Sequence, residues 1–156
     1  MKLKSLLILV LIVSGLNTFA QNTKENPVIM LESQSKLSFS ETIDELSKVI
    51  VAKGWKITTI HDLQETMKKN GKEVLPVKVM EICNPGLAYQ ILSKDHLREV
   101  SPMLPCRISV YQKADGKTYV SRMNAAAFTA LLDPDAANTV TQAFAEAEDF
   151  IRTATK

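Results

Sequence analysis

Read from its amino end, the chain opens on a block of apolar residues and then settles into short alternating stretches separated by polar turns. Ser5 to Leu16 is almost unbroken apolar sequence. Beyond it, Lys36–Phe39 alternates and predicts a first strand. Ser40 can cap a helix with Glu41 in its first turn. Ser38 with Glu41 also forms a capping-box pattern that starts the helix two residues earlier. Ile43, Leu46, Val49 and Ile50 supply its apolar stripe, and Gly54 ends it. Trp55–Ile60 alternates as a strand. Asp62-Leu63-Gln64-Glu65 is a second capping pattern, opening a short helix that Asn70-Gly71 stops.

Pro76–Cys83 predicts a strand apolar on both faces, interrupted by Glu81 on the face of Cys83. Such a strand belongs inside a sheet, covered on two sides. Asn84 and Pro85 then read as N-cap and first residue of a helix to about Leu92. Ser93-Lys94-Asp95 can begin a further turn, and Pro102 and Pro105 punctuate the stretch leading to Cys106. Cys106–Lys113 alternates cleanly, with Cys106, Ile108 and Val110 against Arg107, Ser109 and Tyr111. Asp115-Gly116 is a hairpin signal, and Lys117–Met123 returns as the last strand. Asn124 can cap an Ala-rich helix over 125–132. Asp133-Pro134-Asp135 restarts a helix to near Thr153, with Val140, Phe144, Ala147 and Ile151 on its apolar face. The predicted order is β-α-β-α-β-α-β-β-α. The fold class is α+β, a mostly antiparallel sheet with helices on one face.

The N-terminal block changes the picture of compartment and charge. Lys2 and Lys4, the apolar run and the small residues around Ala20 form the three parts of a secretory signal peptide. The run is shorter than the ~20 residues a bilayer span needs. The expected division is a signal peptide over 1–20, a flexible leader over 21–35 and one α+β domain over 36–156. The expected location is exported, periplasmic or secreted, with no membrane span after processing. The full chain carries 19 basic and 17 acidic residues, and the excess lies in the signal peptide. A processed chain with no net charge argues against a general nucleic-acid binder.

The same compartment bears on the only two cysteines, Cys83 and Cys106. Oxidising surroundings favour a disulfide. One cysteine closes a strand and the other opens the next. Antiparallel pairing would bring both to one edge, where a bridge needs Cα atoms ~4.4–6.8 Å apart. Cys83 also precedes a helix N-terminus, which favours thiolate, whereas Glu81 opposes it. There are three readings: a structural disulfide; a redox-active or ligand-accepting thiol pair attacking through Cys83; or a soft-metal site for Cu(I) or Zn, aided by His61, His96, Met80 or Met103. Glu81, Asn84 and Arg107 complete the candidate binding residues. His61 reads as a turn residue and His96 as a solvated one. No serine-nucleophile motif or phosphate loop is present, so an enzyme is the less favoured class. The functions in play are small-ligand or soft-metal binding at Cys83 and Cys106, thiol–disulfide exchange, or an interaction module with a structural bridge. An unknown small ligand or protein is the expected partner, and a homodimer is possible.

Four segments together resemble a known bacterial family, the domain of unknown function 302. They are Gly54-Trp55-Lys56-Ile57, Val79-Met80-Glu81-Ile82-Cys83-Asn84-Pro85, Leu104-Pro105-Cys106-Arg107-Ile108-Ser109-Val110-Tyr111 and Met123-Asn124. The resemblance covers roughly Leu37 to Leu132. The resemblance implies a small α+β domain with a curved antiparallel sheet, like that of TATA-binding-protein-like folds. It implies no activity and carries no catalytic residue with it.

Overall fold

The computed structural model describes residues 28–155; the predicted signal peptide and residues 21–27 of the leader lie outside them. Five strands form one antiparallel sheet: β1 (Met30–Gln34), β2 (Lys56–Asp62), β3 (Val77–Cys83), β4 (Cys106–Gln112) and β5 (Thr118–Met123), in the order β1-β5-β4-β3-β2. The helices are α1 (Phe39–Ala52), α2 (Leu63–Lys69), α3 (Pro85–Leu92) and α4 (Pro134–Ala154). A 3₁₀ segment, Asp95–Met103, joins α3 to β4. No helix among the described residues is long and apolar enough to cross a membrane. The α+β class and the element order agree with the sequence pattern.

Strand alternation decides which face the helices cover. Met80 and Ile82 on β3, Ile108 and Val110 on β4 and Val120 on β5 are buried against Leu46 and Ile50 of α1 and Phe150 and Ile151 of α4. Each such side chain contributes roughly 1.5–3 kcal/mol through burial. Trp55 sits edge-on to Phe150, 5.5 Å between ring centres, and its Nε1 donates to Glu146 Oε2 at 2.7 Å. A second cluster, built on Ile91, Leu97, Val100, Ala136 and Val140, packs under the 3₁₀ segment; Phe144 touches both clusters.

The helix ends follow the local sequence. Ser38 and Glu41 form the reciprocal capping box, Asp62 accepts from the Glu65 amide, and Asn84 accepts from the amides of Gly86 and Leu87. Gly54 and Gly116 take positive φ, 81° and 75°, where a helix stops and the β4–β5 hairpin turns.

Two expectations give way. The first strand is Met30–Gln34, inside the expected leader, whereas residues 36–38 only lead into α1. β1 is an edge strand whose place comes from backbone pairing with β5 and from the Ser33 hydroxyl accepting from Arg122 Nη1 at 2.8 Å. The Ala-rich stretch after Asn124 forms two 3₁₀ turns, Ala125–Ala127 and Thr129–Leu131, instead of one helix. Phe128, at φ −139° and ψ −15°, leaves the helical region between them and packs on Phe144.

Candidate functional site

The sequence singles out the two cysteines, at the end of β3 and the start of β4. Both thiols are free, so the expected disulfide is not formed. The register explains why: Cys106 stands opposite Ile82, not opposite Cys83. Alternation then sends Cys106 toward the helices and Cys83, one residue further, to the other side, so the sulfurs do not meet as a bonded pair. Both residues border a crevice with about 10 Å³ of room beside Trp55 and Asn84, hardly enough for a single water. Burial raises the Cys106 thiol to about 11, with a smaller push from the charge of Cys83, and burial also raises the Cys83 thiol. The pull of the α3 N-terminus toward thiolate is outweighed.

The expected metal helpers are dispersed. Met80 is fully buried in the main core and Met103 packs in the second cluster. His96 lies exposed in the 3₁₀ segment. Among the described residues no three His, Cys, Asp or Glu side chains gather as a metal site. Asn84 is occupied as the α3 cap.

Glu81 and Arg107, by contrast, do come together. They face each other across β3 and β4, on the sheet face that the helices leave uncovered. Arg107 Nε and Nη2 lie 3.2 and 3.1 Å from Glu81 Oε1. His61 joins them: it is a β2 strand residue rather than part of a turn, and its Nε2 lies 3.2 Å from the same oxygen. Partial burial opposes ionisation of Glu81, but the contacts with His61 and Arg107 outweigh it and hold the carboxyl below its ordinary value. The role of His61 in this cluster is what sequence reasoning misses. The available signal is its place two residues from Thr59 in an alternating run, which the following Asp62 cap obscures.

A second cluster occupies the other half of this face. Tyr111 of β4 and Tyr119 of β5 stack with 6.1 Å between ring centres. Tyr111 donates to Glu32 of β1 and Tyr119 to Asp115. Lys113 Nζ sits 4.1 Å from the Tyr119 ring centre and 2.6 Å from Glu32. Burial first, then the bond to Glu32, raises the Tyr111 phenol to about 12.

Between the clusters the side chains are short. Ser109 and Ser121 are paired directly across β4 and β5. Their cross-strand row runs from His61 through Val79, Ser109 and Ser121 to Glu32. The row on one side carries Glu81, Arg107 and Met123; the row on the other carries Tyr111 and Tyr119. Two of the smallest side chains on this face thus stand between rows that carry long or aromatic ones, a strip that side-chain size alone makes lower than its flanks. Its walls offer a guanidinium, two phenol rings and a thioether, and its floor offers two hydroxyls. No catalytic constellation of nucleophile and base is present among these groups.

A family model described as "Domain of unknown function DUF302" matches residues 31–154. A solved structure of an uncharacterised conserved DUF302 protein from Bacillus stearothermophilus superposes with a TM-score of 0.66 at 21% identity, covering 81% of this chain and 95% of that one. At that identity the likeness speaks for the fold. No curated protein matches the chain.

Proposed function

The chain belongs to the DUF302 family, and from that premise we propose that it is a non-enzymatic binding domain that seats a small planar ligand on the uncovered face of its sheet. The observation that supports this most is the Ser109–Ser121 floor between the Arg107 row and the Tyr111–Tyr119 row. A flat ring lying on the two serines would stack against phenol edges on one side. On the other side it would meet a guanidinium already oriented by Glu81. Because Arg107 and Lys113 are each paired with a glutamate, the trough offers directed hydrogen bonds rather than a strong net field. Cys83 stands four positions beyond Val79 along β3, away from the two serines, and its thiol takes no part in the binding.

The same proposal puts the protein in the periplasm or outside the cell, on the strength of the Ser5–Leu16 apolar run and the small residues ending at Ala20. A thermal-shift screen of adenine, nicotinamide and 4-hydroxybenzoate against wild type and Ser109→Phe tests the binding reading. The expected result is stabilisation of wild type by at least one compound and none of the variant, whose trough the ring fills. Equal shifts in both proteins, or no shift with any of the three, would count against it.

A further inference from the structure

The layer of helices carries another recess, separate from the sheet face. It lies on the solvent side of α3 and α4 and holds about 440 Å³, within the ~300–1,000 Å³ typical of small-molecule sites. Its only charged lining groups, Lys94 and Asp135, are paired at 2.7 Å, so the walls carry no net charge. The rest of the polar lining consists of amides and hydroxyls.

Two of the amides are bonded within the protein. Thr139 Oγ1 lies 3.0 Å from the Asp135 carbonyl oxygen and 3.2 Å from Gln90 Oε1 and has one hydrogen to donate, so the Gln90 amide can present either a donor or an acceptor to the cleft. Gln142 Nε2 donates to Glu146 Oε1 at 3.0 Å, which leaves the Gln142 carbonyl as an acceptor. Asn138 stands one turn before Gln142 on α4 and offers both kinds of group. At the rim, Tyr89 is 72% exposed, a large ring left in water beside a polar cleft.

We propose that this cleft is a binding site for a neutral pyranose. Each hydroxyl of such a ring both donates and accepts, as the paired amides demand. Its axial C–H face supplies the apolar surface that would cover Tyr89. A charged ligand would have to break the Lys94–Asp135 pair and would find no other counter-charge in the lining. The site is independent of the sheet trough, so a filled trough would leave it intact.

The test is a ¹⁵N NMR titration of the protein with D-glucose, N-acetyl-D-glucosamine and chitotriose, with glucuronate and glucosamine as charged controls. The side-chain amides of Gln90, Asn138 and Gln142 should shift saturably with a neutral sugar. Tyr89→Ala and Asn138→Ala, both at exposed positions, should weaken that binding at least tenfold while sheet resonances stay in place. Comparable affinity for monosaccharide and trisaccharide would identify a free sugar as the ligand; response to chitotriose alone would identify a glycan chain. The proposal is overturned by the absence of any saturable shift, by wild-type affinity in both variants, or by tighter binding of either charged control. Ser109→Phe should titrate like wild type, which separates a failure here from a failure of the trough.

Discussion

Arg122 is the residue through which the sheet is tied to the helices, and its removal has a calculable cost. Its Nε and Nη2 each lie 2.6 Å from an oxygen of Glu148 on α4, and its Nη1 lies 2.8 Å from Ser33 of β1. The two charged side chains are only 10% and 27% exposed. A fully buried pair costs ~3–5 kcal/mol when one partner is removed, and an exposed pair contributes ~0.2–1 kcal/mol. This pair lies between those limits, because Glu148 keeps some water. Arg122→Met preserves the stem that packs over the core but strands the carboxylate and the Ser33 hydroxyl. The expected loss is about 2 kcal/mol, or a fall in Tm of about 6–10 °C for a domain of this size. Glu148→Gln keeps one acceptor and should cost about 1 kcal/mol. Urea unfolding followed by the fluorescence of Trp55 gives all the free energies. The double variant should be more stable than the sum of the single losses by about 1 kcal/mol or more. Strict additivity, or an Arg122→Met loss under about 0.5 kcal/mol, would show that the fork is a surface contact and the reasoning wrong.

Three further outcomes are expected from the same geometry. In the native protein, thiol reagent at neutral pH should modify Cys83 slowly and Cys106 hardly at all, with both reacting at once on unfolding, since burial raises both thiols; fast native labelling of Cys106 would contradict the packing. Tm should hold down to about pH 5 and then fall. Glu32, Asp62, Glu81, Asp115 and Asp135 all have folded values below their ordinary 4.5 or 3.8. Their stabilisation is therefore complete above those values and lost as pH drops through the folded ones; a Tm that rises on acidification would refute this. Ultraviolet titration of the phenols should show one component near 12 that disappears in Tyr111→Phe, and a wild-type curve complete by about pH 11 would argue against the burial of Tyr111 and its bond to Glu32.

Periodicity is enough to read the helices and the inner strands. Ile108 and Val110 alternate with Arg107 and Ser109 because one face of β4 meets α1 and α4 and the other meets water, and that difference is written in residue type. β1 is hidden for the opposite reason. Met30–Gln34 is placed by backbone pairing with β5 and by Arg122, 89 positions beyond Ser33, and neither leaves an apolar alternation. The topological step is also legible: the strands of Cys83 and Cys106 are antiparallel neighbours. The disulfide fails on register, because a one-residue offset puts Ile82 opposite Cys106, and alternation turns such an offset into a change of face. No residue type reports that offset. The Glu81–Arg107 pair can be found with His61 once β2 is extended to Asp62. The serine floor cannot, since Ser109 and Ser121 acquire meaning only when β4 and β5 are laid side by side.

The central claim, that the uncovered sheet face is the binding surface, is tested most directly by mapping amide chemical shifts while a stabilising planar compound from the screen is added. The account predicts that the largest changes fall on Ser109, Ser121, Tyr111 and Arg107, with α1 and α4 silent. Changes concentrated on the helices, with those four residues unmoved, would contradict it.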